Sequence, residues 1–277
     1  MLDAGSNTVS QFRVEGDKLT LLQTVSSGGD FPVSITTHGG LAYVLNAGGD
    51  GSVSGFRFVA AHLLQAIPGS TRTLSLGNTN PPFFVKGPGQ VGFTPDGSKL
   101  VVTTRASTSS IDVFKVGPRG FLAAYPVVTP SATPVPFGFV FDPAGRLVAS
   151  EAGTSTATTY RINRDATLTA LGTASDGQAA GCWIATTGGH YYVSNAGSAN
   201  LGAFHLGAGG APVFDGIAAT THPGTTDAAT TPGGSFLYVE TDGAGIIDGF
   251  RVAADGSLRK VAEVSGLPIG FEGIAAS

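Results

Sequence analysis

The chain has 277 residues, 42 of them glycine, a formal net charge of −4 and 12 % charged residues. Glycine at about twice and charge at about half the usual share mark a turn-rich, β-rich chain, and 42 % apolar residues argue against disorder. The acidic balance, with a pI near 5.7, lacks the basic footprint of a nucleic-acid binder, and no run of about 18 apolar residues suits a membrane span.

The chain opens "MLDAGSNTVS", already in domain-like sequence and without a signal peptide. It reads as soluble, cytoplasmic as given, with a secreted parent whose leader is removed as the alternative. The single Cys182 excludes an intrachain disulfide.

Taken in chain order, one turn recurs: "TTHGG" (36–40), "TPDGS" (94–98), "DPAGR" (142–146), "TTGGH" (186–190) and "TPGGS" (231–235). A short small-residue run precedes each, and an apolar run follows, such as "LAYVLNAG", "RLVASEAG" or "FLYVETDG". A polar turn then leads to an alternating strand such as "SVSGFRF" or "IIDGFRV", and a weaker fourth strand closes the unit. Alternation bounded by Gly, Pro, Asp and Thr is the strand signature. Four strands in roughly 45 residues is the β-propeller pattern.

Innermost strands are expected to start near Pro32, Gln90, Phe137, Cys182, Asp227 and Glu272. The last, "FEGIAAS", has no second strand after it, while "LDAGSNTVSQFRV" at the start resembles "LNAGGDGSVSGFRF" without an inner strand before it. The expectation is one propeller domain, 1–277, of six blades. Its ring would close by pairing the C-terminal strand with the N-terminal segment, removing free edges. The interval 61–89 reads as a long loop, functional or merely flexible.

The stretches "DAGSNTVSQFRV", "VGFTPDGSKLVVT", "VPFGFVFDPAGRLVASEAGTST", "YYVSNAGS" and "GLPIGFEGIAAS" together resemble the bacterial β-propeller lactonase-like proteins related to 6-phosphogluconolactonase. The resemblance covers nearly the whole chain. It implies seven blades, so this sequence departs from it by one N-terminal repeat, as a natural or engineered six-bladed form or as a truncated one. A deleted blade would weaken the carry-over of any active site. The resemblance also implies metal-independent hydrolysis of a lactone or related ester.

In a propeller, the loops leading into the inner strands and the turns leaving the second strands share one face, the default place for a pocket. The second-strand ends offer Asp3, Asn46, Arg105, Glu151, Asn195 and Glu240. The leading loops offer Asp30, Arg72, Gln90, Gln178, Cys182, Trp183, His222, Asp227 and Glu272. Lactone hydrolysis needs a base to activate water and a donor for the developing oxyanion. Glu151 is the candidate base, Arg105 the clamp, and Glu240 or Glu272 an auxiliary acid. Asn46, Asn195, Gln90, Trp183, Asp227, His222 and Arg72 are the candidate substrate contacts. The structural alternative is that these groups bond to one another and to loop backbone.

A central Ca²⁺ held by Glu151, Asn195, Asn46, Asp227 and Glu272 is a further alternative, since hard oxygen ligands suit that ion; nearby arginines oppose it, so no cofactor is expected. A non-catalytic propeller, binding or structural, is the rival to the hydrolase. The partner expected is a small molecule, and the chain a monomer, with a strand-exchanged dimer as alternative. "GPGQVG" (87–92) matches G-x-G-x-x-G but runs into a strand instead of a helix, so it does not signal a dinucleotide site.

Overall fold

The computed structural model describes residues 1–59 and 62–276. Ala61, the first residue of the long interval, and Ser277, the last of "FEGIAAS", lie outside them. The described residues form six antiparallel sheets and almost no helix, the blades of a β-propeller.

The chain divides into two compact units, Met1–Ser131 with Arg164–Thr167 and Ala132–Asn163 with Leu168–Ser277. In the first unit, blade one is β1 (Leu2–Asp3), β2 (Thr8–Glu15) and β3 (Lys18–Ser26). Blade two is β4 (Pro32–His38), β5 (Leu41–Asn46), β6 (Ser52–Phe58), β7 (Leu64–Ala66) and β8 (Arg72–Thr73). Blade three is β9 (Val91–Phe93), β10 (Lys99–Thr103), β11 (Ser110–Lys115) and β12 (Val127–Pro130).

The second unit holds three blades of four strands. Blade four runs β13 (Pro136–Phe141), β14 (Leu147–Glu151), β15 (Thr156–Ile162) and β16 (Leu168–Ser175). Blade five runs β17 (Gly181–Thr187), β18 (His190–Asn195), β19 (Asn200–Leu206) and β20 (Pro212–Thr220). Blade six runs β21 (Thr225–Thr230), β22 (Phe236–Thr241), β23 (Ile246–Val252) and β24 (Leu258–Val264).

The recurring turn closes the first hairpin of five blades. It needs a left-handed residue, and Gly40, Gly97, Gly145, Gly189 and Gly234 supply it at φ between +67° and +86°. The strand that follows is buried on both faces, which is why it reads as an unbroken apolar run; Ala42 to Asn46 are all buried. Outer strands are wet, as in β24, where six of seven residues are exposed.

Neighbouring blades bury one aromatic each. Phe56 packs against Val9 of blade one, and Phe114 against Tyr43, Leu45 and Val53 of blade two. In the second unit Phe204 packs on Val148 and Ala157 of blade four, and Phe250 on Tyr192 and Leu201 of blade five. Burying such a ring supplies about 2–3 kcal/mol per blade. Hydroxyl staples add to this, Tyr43 donating to Gly120 O at 2.6 Å and Tyr192 to Gly256 O at 2.8 Å.

Two expectations change. The interval 61–89 is not all loop: β7 and β8 both pair with β6, giving blade two its outer strand in two pieces. The closing strand is absent among the described residues. Blade one has three strands, and residues 265–276 form none. Backbone groups of the terminal segment instead bond to blade six, with Leu267 N on Gly245 O and Gly270 N on Asp242 O. Side-chain carboxylates of blade six take two more of its N–H groups.

Candidate functional site

In the repeat, the last residue of the second strand is Asp3, Asn46, Glu151, Asn195 or Thr241. In each of the last four the side chain is buried and turned to its own blade. Asn46 donates to Ser27 O at 3.4 Å, and Thr241 to Ile246 O at 2.8 Å. Asn195 donates to Asp176 at 2.8 Å and Asn200 at 2.9 Å, and Asn200 continues to Gln178 at 2.7 Å. This position ties a blade to the loop that leads into it.

Glu151 occupies that position in blade four and is fully buried. Thr133 and Thr158 donate hydroxyl hydrogen bonds to Oε2 at 2.5 Å, Thr156 donates to it at 3.1 Å, and Tyr160 donates to Oε1 at 2.5 Å. Four hydroxyls compensate the desolvated carboxylate. They also occupy the directions from which water or substrate would approach.

The arginines are similarly engaged within the first unit. Arg105 is 6 % exposed, donates to Phe84 O at 2.7 Å and lies 4.5 Å over the Phe84 ring. It pins the segment at 84–86 over blade three. Arg72 gives its guanidinium to the carbonyls of Gly69, Thr71, Leu122 and Ala123 at 2.9–3.1 Å, bridging blades two and three. Asp30 accepts from Asn7 and Asn80, and the backbone of Gln90 pairs with Thr103.

Within the second unit Trp183 packs on the apolar cluster shared by blades five and six, with Gly138 against its ring and backbone. Cys182 is buried, and its carbonyl accepts from Ser150 at 2.6 Å. His222 sits 3.1 Å from Asp248, which is fully buried and also meets the Lys260 ammonium at 2.7 Å. Burial pushes the Asp248 pKa up, but Lys260 and His222 outweigh it, leaving the group below its ordinary value.

The structure does join Asp227, Glu240 and the terminal segment that carries Glu272. Strands β21 and β22 pair at Thr225–Thr241 and again at Ala228–Val239, so Thr226 and Asp227 oppose Glu240 across a bulge. Other blades have Leu45, Thr103, Ser150 or Ser194 where blade six has Glu240. In blade four the same slot holds Gly138 and Ser150, whose hydroxyl bonds both backbone groups of Gly138. Blade six has two carboxyls in place of that closed contact.

Glu240 is 1 % exposed and Asp227 half-buried. Each oxygen pair has one donor from the terminal segment, Gly273 N on Glu240 at 3.1 Å and Ile274 N on Asp227 at 3.3 Å. Asp227 also accepts from its neighbour Ala228 N at 2.6 Å. Desolvation first, then repulsion from Asp227 and Glu272, raises Glu240 to about 8. Desolvation, with repulsion from Glu272, raises Asp227 to about 7. Burial and neighbouring negative charge thus hold both carboxyls well above their ordinary range.

Of the residues weighed as calcium ligands, Glu151 and Asn195 are hydrogen-bonded inside their own blades. The one group of the described residues with ligand atoms within 4.8 Å is His222, Asp248 and Glu263. There Lys260 lies 2.7 Å from both carboxylates, where a cation would sit. Sequence reasoning missed Asp248, Lys260 and Glu263. The available signal was the Asp in "IIDGFRV", at a core-facing place where four other repeats have Ser10, Ser54, Thr158 or Gly202. Blade three has Asp112 there, buried without a cation among the described residues and raised to about 6 by desolvation.

No protein-family model matches the sequence, and no curated protein matches it. Solved structures do. A candidate 6-phosphogluconolactonase from Bacteroides uniformis matches with a TM-score of 0.76 at 19 % identity, over 95 % of this chain and 79 % of that one. A second candidate 6-phosphogluconolactonase, from Bacteroides fragilis, matches at 0.75 and 20 %, over 95 % and 78 %. The periplasmic gluconolactonase of Pseudomonas aeruginosa matches at 0.74 and 18 %, over 95 % and 78 %. The fold of this chain is that of the bacterial 6-phosphogluconolactonase-like β-propellers.

Proposed function

We propose that the protein is a hydrolase of small lactones that works through the Asp227–Glu240 pair. One observation carries this reading: at a slot that holds uncharged residues in other blades, such as Gly138 with Ser150 or Trp183 with Ser194, blade six has two opposed carboxyls with raised pKa values. Glu151, held inside blade four, is surrounded by donors. This pair has few, and such frustration marks sites where proton transfer is the task. The fold likeness to lactonase structures supports this substrate class by analogy.

In the reaction the ionised member takes a proton from water as its oxygen bonds the lactone carbonyl carbon. The protonated member supplies the proton that the ring oxygen needs when the C–O bond breaks. A hydroxy acid leaves, and no metal or cofactor is required. The N–H groups of Gly273 and Ile274 bond to the pair, so in this scheme the terminal segment must shift for substrate to reach it. Arg105 and Arg72, engaged elsewhere, have no role in this scheme.

The test is a panel of aldonolactones assayed against pH. With values of about 7 and 8, both carboxyls hold protons on the acid side and both are ionised on the alkaline side. Turnover should be bell-shaped with its maximum between them. Asp227→Asn and Glu240→Gln should each lower it by about 100-fold or more, and Glu151→Gln should retain it per folded molecule. Turnover that survives both changes in blade six rejects the assignment. A well-folded protein without turnover on any lactone favours a non-catalytic propeller, in which the pair only anchors the terminal segment.

A further inference from the structure

We propose that a hollow in the first unit, lined by Gly77, Asn78, Thr79, Phe83 and Lys86, binds small carboxylates that carry a ring. Its volume is about 380 Å³, at the small end of ligand sites. All of its lining comes from one connection of the chain, and it is independent of the Asp227–Glu240 pair.

That connection, 74–90, joins β8 to β9, whereas other blades are joined by short ones such as 131–135 and 221–224. A propeller needs no more than the short form, and long connections are where binding residues concentrate. This one is held on both sides. The consecutive carbonyls of Phe84, Val85 and Lys86 accept from the consecutive residues Arg105, Ala106 and Ser107, through a guanidinium, a backbone N–H and a hydroxyl. On the other side Asn78 N donates to Gly49 O at 2.9 Å, Gly49 N to Thr79 O at 3.1 Å, and the Asn80 amide to Asp30 at 3.1 Å. The lining is therefore positioned before any ligand arrives, which lowers the cost of binding.

The scaffold holds out groups that it does not use itself. Phe83 is 67 % exposed, a ring face left in water. The Lys86 ammonium has no hydrogen-bond or ion-pair partner among the described residues. The Asn78 side-chain oxygen accepts from the Ser107 hydroxyl at 3.0 Å, while its amide nitrogen is enclosed without a partner. Arg105, which holds this connection, is committed to the Phe84 carbonyl and ring. A single ammonium, a compact point charge, balances a carboxylate and would leave the second charge of a phosphate unpaired. The Phe83 face stacks on a flat or apolar ring. The Asn78 nitrogen is a donor for a ligand oxygen.

Titration of the whole chain with benzoate, followed through backbone amide NMR shifts, tests this. The amides of Asn78, Thr79, Phe83 and Lys86 should shift and saturate together. Lys86→Met should weaken binding about three- to fivefold, and Phe83→Ala about fivefold. Both positions are exposed, so the rest of the spectrum should stay unchanged. Benzamide, which lacks the charge, and acetate, which lacks the ring, should each bind more weakly than benzoate. Lys18→Met, which removes an exposed ammonium elsewhere, should leave the affinity as it is. Absence of any benzoate-dependent shift at the four amides overturns the proposal. So does equal affinity for benzoate in wild type and Lys86→Met.

Discussion

Two glutamates in the second unit lie one repeat position apart, Glu151 last in its second strand and Glu240 last but one in its own. Along a strand one position is a change of face. Glu151 therefore turns to the third strand of its own blade, where four hydroxyls meet it. Glu240 turns to the bulge, where it finds Asp227 and one backbone N–H. Both are buried, so burial alone does not distinguish a scaffold carboxylate from a reactive one. The number of donors does separate these two: Glu151 is saturated inside its blade, whereas the Asp227–Glu240 pair has few donors, and the proposed site rests on that difference.

The largest expected effect breaks the reactive side of this contrast. Asp227→Asn or Glu240→Gln should lower lactone kcat/KM by about 100-fold or more, with little loss of folding, as followed by steady-state kinetics and thermal melts. On the scaffold side, Glu151→Ala strands four buried hydroxyls and should cost about 3 kcal/mol or more of stability in urea unfolding. Activity per folded molecule should not change.

Stability against pH sharpens the comparison. The folded values of Asp227 and Glu240 lie above their ordinary 3.8 and 4.5, at about 7 and 8. The folded state thus holds protons that the unfolded chain has released. The stabilisation is whole below about pH 4, erodes as pH rises, and is gone once pH passes the folded values. Between pH 5 and 9 wild type should lose on the order of a few kcal/mol relative to Glu240→Ser, which restores the residue used in blades four and five. The smallest effect tests a single donor of the cage: Thr133→Val should cost about 1 kcal/mol.

Much of the fold was legible because the repeat is written in turn chemistry. The glycine of "TPDGS" or "TTGGH" needs a left-handed backbone, and the apolar run after it needs two covered faces. The inner strands begin within two residues of Pro32, Gln90, Phe137, Cys182 and Asp227. "FEGIAAS" resembles those strands in composition but has no following hairpin to hold it, and its N–H groups find carboxylates instead. The split outer strand of blade two was hidden because the Pro- and Gly-rich interval 61–89 masks two short pairings.

The site was legible as a set of residues but not as an arrangement. Asp227 and Glu240 stand among the candidates, yet their opposition depends on a bulge, and bulge register is set by pairing, not by residue type. Glu151 and Arg105 looked reactive because charged groups at the ends of apolar strands attract notice. Only the Thr and Tyr hydroxyls around Glu151, and the Phe84 carbonyl and ring beside Arg105, show how they are used.

The most direct measurement is a carbon-13 NMR titration of the side-chain carboxyls, assigned with Asp227→Asn and Glu240→Gln. The account predicts two coupled carboxyls that titrate with apparent values of about 7 and 8, one disappearing in each variant. If every Asp and Glu is ionised by pH 6, the shared proton does not exist and the Asp227–Glu240 site is contradicted.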